Sequence, residues 1–245
     1  ENRMIISVGE DREHLTCYYV DMKKNQVISI SEQTGIKNIE PPGIKYMDGK
    51  AIITFIADKG IISEKGFTAW ENLKDRENAV MEGQTVFDYY RYEPETGKAQ
   101  KICGDVIYWD DYEETEEQDN GTFTQNWKQY ARLNISGSRY DILDDRTHIY
   151  LQDALTGERT EVEGLTTELG SGLIPPNGNE NYLYFEKFDG DMAMIDIRKK
   201  CFYVIRRSFK ERMGETSCRQ EGDKFYMSAK NEKEGIYYLF LYTPK

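Results

Sequence analysis

Apolar positions in this chain come in short runs broken by turn residues, most clearly between Glu180 and Arg206, ENYLYFEKFDGDMAMIDIRKKCFYVIR. Tyr182–Phe185, Met192–Ile197 and Phe202–Ile205 are of strand length and rich in aromatic and β-branched residues, with Asp189-Gly190 and Arg198-Lys199-Lys200 between them. They predict a three-stranded meander. Within Tyr182–Phe185, and again within Met192–Ile195, apolar residues are consecutive and do not alternate, so both faces of the sheet need cover. Almost no long stripe of helical period exists to supply it, and the predicted cover is therefore another sheet on each side, as in a propeller or a prism. A buried helix is the alternative for such short runs; the β-branched and aromatic content and the turn residues in every gap favour strands.

The same pattern recurs along the chain. Met4–Val8 is a short strand, and LTCYYVDMKKNQVISI (15–30) reads as a hairpin. Ala51–Ala57 is apolar on both faces, and Thr85–Tyr92 with Lys98–Cys103 forms a hairpin across Pro94-Glu-Thr-Gly97. Another spans 148–162, and strands at Lys224–Ala229 and Ile236–Tyr242 end the series. The turns VDMKKN, EPETGK, DALTGE and DIRKK occupy the same place in each repeat. The strands near 192 and 236 stand about 45 residues apart, the period of a four-stranded propeller blade. The expected fold is all-β, a single propeller domain over 1–245 of about five four-stranded blades, or six if 58–84 or 104–143 hold another. The last unit is expected to lack its returning strand and to close the ring with Met4–Val8, removing both edges. The best helix signal is the capping-box form Thr68-Ala-Trp-Glu71, which predicts a short inserted helix from about Ala69 to Met81.

Composition narrows the partners. Thirty-two Lys and Arg against 44 Asp and Glu give a net charge of −12, which opposes binding to nucleic acid or to an anionic membrane surface. No apolar span reaches transmembrane length. The sequence begins at Glu1, which fits a mature exported chain whose leader is gone, or one trimmed for expression. Cys17, Cys103, Cys201 and Cys218 contain no C-x-x-C pair, so buried free thiols are expected and a zinc site is not; a Cys201–Cys218 bridge stays open.

The hairpins, and the ending GDKFYMSAKNEKEGIYYLFLY (222–242), resemble the blades of TolB-like β-propellers of bacterial surface lipoproteins and sensor proteins. The shared feature is a tyrosine-rich strand, a polar turn with Asp or Gly, and a second tyrosine-rich strand. The resemblance implies a propeller with a central channel, an extracellular or cell-surface location with a lipid anchor, and a binding role; it transfers no catalytic residue. Tryptophan-aspartate repeats are not supported, because Trp109-Asp110 occurs once, and no sialidase-type box is present.

Candidate chemistry is sparse. His148 with Asp144 or Asp145 could enter a triad, but no G-x-S-x-G stretch accompanies it, and Gly170-Ser-Gly172 is not a nucleotide loop. Glycoside hydrolysis needs only paired carboxylates, for which Asp88, Asp105, Asp110 and Asp196 are available without any stated separation. Trp70, Trp109 and Trp127 are sugar platforms or core residues on equal terms. The acidic loop Asp110–Asp119 lacks calcium-loop spacing, and Asn120-Gly-Thr122 and Asn134-Ile-Ser136 match the glycosylation acceptor. No catalytic residue, metal or cofactor is expected. The expected function is a non-catalytic module that recognises a protein or glycan through its loops, with Tyr108, Trp109, Trp127 and Tyr130 as contact residues and glycoside hydrolysis as the alternative.

Overall fold

The structure, a computed structural model, describes residues 2–9, 16–47, 50–63, 65–75, 78–79, 83–108, 129–165, 177–178, 181–186, 192–206, 213–221, 224–231 and 234–243. Strands dominate these residues, in several sheets of which none is closed, so the chain is all-β. It divides into two compact units, one built on Glu1–Tyr108 with Asp153–Glu158, the other on Leu133–Gln152 with Arg159–Lys245.

In the first unit, β1 (Arg3–Val8), β2 (Thr16–Asp21) and β3 (Gln26–Ser29) form an antiparallel meander. β2 alternates as a half-buried strand should, with Cys17, Tyr19 and Asp21 inward. β4 (Gly43–Met47), β5 (Lys50–Ser63), β7 (Gln84–Glu93) and β8 (Lys98–Tyr108) follow one another in a second sheet, and β6 (Gly66–Ala69) pairs with the far half of β5. The two sheets share one core made of Cys17, Tyr19, Ile30, Ile39, Ile53, Phe55 and Tyr92. β5 is buried at every position from Ile52 to Ala57, as its unbroken apolar run requires.

β9 (Ala131–Asn134) crosses the boundary between the units. In the second unit, β10 (Tyr140–Asp144), β11 (Ile149–Asp153) and β12 (Arg159–Glu161) come next in sheet order. β13 (Asn177–Gly178), β14 (Tyr182–Glu186), β15 (Met192–Asp196) and β16 (Cys201–Arg206) make a four-stranded meander, so the three strands expected around Glu180–Arg206 are present. A common core of Ile142, Ile149, Leu151, Val162, Leu165, Leu183, Ala193, Ile195 and Ile197 joins these two sheets. β17 (Met213–Glu221), β18 (Lys224–Asn231) and β19 (Ile236–Tyr242) form the last meander.

One turn recurs five times among the described residues. The closing pairs Asp21↔Gln26, Glu93↔Lys98, Asp196↔Cys201 and Asn231↔Ile236 each leave four residues between them, and Asp153 and Glu158 close the fifth through a 2.9 Å backbone hydrogen bond. The fourth loop residue is left-handed every time: Asn25, Gly97, Gly157, Lys200 and Gly235, at φ 49°, 68°, 77°, 57° and 65°. The carboxylate at the strand end organises the loop. Asp21 Oδ1 accepts from the amides of Lys23 and Lys24 at 3.0 and 3.1 Å, and Asp196 Oδ1 from those of Arg198 and Lys199, both at 3.1 Å.

Two expectations are corrected, and the open question of a disulfide is answered. Ala69–Met81 is not one helix: Thr68 and Ala69 pair with Ile61 and Gly60 in β6, Trp70–Asn72 is a single 3-10 turn, and a separate turn at Asn78–Ala79 is capped by Asp75. Strand pairing takes up the residue that would have capped the helix. Among the described residues no ladder joins Met4–Val8 to the last strand: β1 pairs with β2 from Arg3↔Asp21 to Val8↔Thr16, and β19 pairs with β18. Cys201 is a free thiol, as are Cys17 and Cys103, so no Cys201–Cys218 bridge forms. A helix not expected from the sequence, α1 (Ile30–Thr34), follows β3, with Ser29 Oγ accepting from the Glu32 amide and Gly35 at φ 71° ending it.

Candidate functional site at paired bulges

Asp88 is the one acidic residue within VFDYYRY, in the middle of β7, and is only 6% exposed. A carboxylate there needs charge-bearing partners, and both neighbouring strands break register to supply them. On β5, Lys59 is the extra residue between the pairs Asp58↔Phe87 and Gly60↔Val86. On β8, Gly104 and Asp105 lie between the partners of Phe87 and Tyr89. Bulges re-aim the chain, and these two bring the Lys59 ammonium and the Asp105 amide to Asp88.

The Asp105 amide donates to Asp88 Oδ1 at 3.1 Å, with Asp105 held at φ 53°. Lys101 Nζ donates to Oδ2 at 2.5 Å, and Tyr90 Oη to the same oxygen at 3.3 Å. Lys59 Nζ lies 3.6 Å from Oδ1 and also donates to Asp105. A Cβ on Gly104 would come 2.7 Å from Asp88 Oδ1, so the approach of β8 depends on glycine at this position. Tyr90 stacks on Phe55 with ring centroids 5.3 Å apart, tying the cluster to the core.

Asp88, Lys59, Lys101 and Tyr90 are each held in their ordinary charge state. Burial pushes the Asp88 carboxyl upward, but the hydrogen bonds from Lys101 and the Asp105 amide and the charges of Lys59 and Lys101 prevail and hold it below the usual value. Burial pulls Lys59 down, and its bond to Asp105 and the charges of Asp88 and Asp105 raise it overall; the Asp88 hydrogen bond raises Lys101. Burial, then the Asp88 charge, raises the Tyr90 phenol. The arrangement suits charge recognition. A proton donor near neutral pH is not among its members.

Of the expected contact residues, Tyr130 feels the charges of this cluster: its phenol is raised by burial and then by the negative charge of Asp105, with Lys59 opposing. Tyr108 is placed elsewhere, with its ring 4.6 Å from Phe87 and its hydroxyl 3.3 Å from Glu40 Oε2. Trp109, Trp127, Asp110 and the loop Asp110–Asp119 lie outside the described residues, as do Asn120-Gly-Thr122 and Gly170-Ser-Gly172. Trp70 is buried and is no platform. Asp196 organises its turn. Asp144 and Asp145 accept backbone amides, Arg146 at 2.7 Å for the first and Thr147 and His148 at 2.9 and 2.7 Å for the second, and the His148 residue is exposed. Asn134 and Ser136 are 6% and 5% exposed, which keeps that acceptor triplet from a glycosylating enzyme. Among the described residues, no three His, Cys, Asp or Glu side chains converge as metal ligands, and no helix is long and apolar enough to cross a membrane. Lys59 and Lys101 were not singled out from the sequence; the only signal was a lone Asp in an aromatic strand.

No family model and no curated protein matches the chain. Among solved structures it matches a structural genomics protein of unknown function from Bacteroides thetaiotaomicron VPI-5482, at 11% identity and a TM-score of 0.38, covering 97% of this chain and 55% of that one. It also matches the computationally designed Ika8 protein, at 12% identity and a TM-score of 0.38 over 99% of this chain and 69% of that one. A match to the tricorn protease, at 12% identity and a TM-score of 0.28, covers 100% of this chain and 26% of that one. The chain thus spans about half the length of the first of these proteins.

Proposed function

We propose that this chain is a non-catalytic recognition module, a propeller of about five blades of the TolB-like kind, exported to the cell surface, that binds a protein or glycan at its loops and strand bulges. The five identical turns, each between the last two strands of a meander, support the blade count. The observation that carries the binding reading is the Asp88 cluster. Its carboxylates and ammoniums neutralise one another, yet Asp105, Lys101 and Lys59 keep side chains 67%, 50% and 36% exposed, as a fixed pattern of charges for a polar ligand. A hydrolase needs one carboxyl raised toward neutrality, and Asp88 is held down.

A thermal-shift screen of the wild-type chain against oligosaccharides and cell-wall fragments, repeated on Asp105→Ala and Lys101→Ala, tests this reading. A ligand at one hundred times its dissociation constant stabilises the fold by about 2.7 kcal/mol, and both variants are expected to lose that gain. A ligand that shifts wild type and variants alike places recognition elsewhere. Release of reducing sugar from a bound glycan, abolished in Asp88→Asn, would replace the binding reading with hydrolysis.

A further inference from the structure

Among the described residues β3, β12, β16 and β19 stand last in their sheets, and natural sheets protect such edges with charge or brevity. β12 is three residues long with Arg159 and Glu161 exposed, β3 is four residues long, and β16 follows Arg198-Lys199-Lys200 and ends in Arg206. β19 has neither protection. Its seven residues, IYYLFLY, are uncharged in a chain that is 31% charged. Among the described residues it is paired only with β18, and Tyr237, Leu239 and Leu241 on one face are 62%, 77% and 59% exposed, with Ile236 at 49%.

We propose that β19 is a self-association edge, on which a second copy of this chain adds its own β19 antiparallel about a two-fold axis. The charge pattern selects this occupant. With −12 on each chain, two copies repel over most of their surface, and a contact is favourable only along a stretch where no like charges oppose. β19 is such a stretch. Centred on Leu239, the antiparallel match sets Tyr237 opposite Leu241 and Leu239 opposite itself, so the exposed apolar row is its own complement and the contact closes as an isologous dimer. The four exposed side chains offer on the order of 400 Å² per copy, half the roughly 800 Å² of a standard interface, so the dimer is weak and rests on the ladder hydrogen bonds as well.

Sedimentation velocity on the full chain across a wide concentration range tests the proposal. The expected result is a monomer–dimer equilibrium, with a species of twice 28.6 kDa that grows as added salt screens the net repulsion. Leu239→Lys places like charges face to face and is expected to leave only monomer, as is Leu239→Glu. An equimolar mixture of the two variants restores a heterodimer. Circular dichroism of each variant is expected to match wild type, since the position is exposed. Wild type that stays monomeric at every concentration, a dimer indifferent to Leu239→Lys, a mixture that fails to associate, or open-ended oligomers would each overturn it.

Discussion

The two units use the same plan, one antiparallel meander laid face to face on another, and fill it differently. The buried members of the second unit's core are Ile, Leu, Val and Ala, with Tyr140 and Phe202 packed against them. In the first, Cys17, Tyr19, Phe55 and Tyr92 enter among the aliphatics, with Tyr90 packed against them. An aliphatic core demands only shape. Tyrosines bring hydroxyls that must be met, and the structure meets them: Tyr92 donates to Gln33 and Tyr90 to Asp88, and around Asp88 the strands break register. The polar site grows where the core itself carries polar tips.

Truncation of either core is the severest test of that contrast. Phe55→Ala in the first unit is expected to cost about 3–5 kcal/mol and Ile195→Ala in the second about 2–5 kcal/mol in urea unfolding. If the units fold as one cooperative block, both variants shift a single transition; if not, each shifts its own.

Next in size is Asp88→Asn, which leaves Lys59 and Lys101 facing a neutral amide and is expected to cost about 1–3 kcal/mol. Because folding lowers the Asp88 pKa, its stabilisation is fully present above the ordinary carboxylate range and is lost as pH falls through the folded value. The gap between wild type and Asp88→Asn should therefore close in acid and be widest near neutral pH. Gly104→Ala, which pushes a methyl against the same carboxylate, should be non-additive with Asp88→Asn in a double-mutant cycle.

Smaller effects compare the turns, which the two units share. Asp21→Ala and Asp196→Ala each remove an acceptor from two turn amides and are expected to cost about 1 kcal/mol, equally in both units. Both carboxylates also face cations, Arg3 and Lys24 at Asp21 and Arg198 and Lys199 at Asp196, and a larger loss at one would mean that its ion pairs add more stability. Smallest is Lys200→Gly, which relieves a left-handed lysine against a gain in unfolded-state entropy and should be neutral or stabilising by less than about 1 kcal/mol in thermal unfolding.

Much of the fold was legible. The apolar runs at 51–57, 85–92, 182–185 and 192–197 are strands, and the repeated turns sit where DMKKN, EPETG, DALTG and DIRKK put them. A fifth, between Asn231 and Ile236, ends in the same left-handed position at Gly235. α1 was legible too, because Ser29-Ile-Ser-Glu32 has the capping-box form. β17, MGETSCRQE, was not, since a polar strand has no apolar period and is defined only by its pairing with β18.

Of the expected contact residues that the structure describes, Tyr130 feels the charges of Asp105 and Lys59, and Tyr108 packs on Phe87. The sequence by itself determined the strands and their turns, because alternation, β-branching and a residue tolerant of positive φ act within a few positions of one another. Only the tertiary structure decided which carboxylate meets which lysine. Asp88 and Asp105 are 17 positions apart and Lys59 is 29 from Asp88; their meeting depends on two register shifts on opposite sides of β7, and a register shift is a property of paired strands, not of either strand alone.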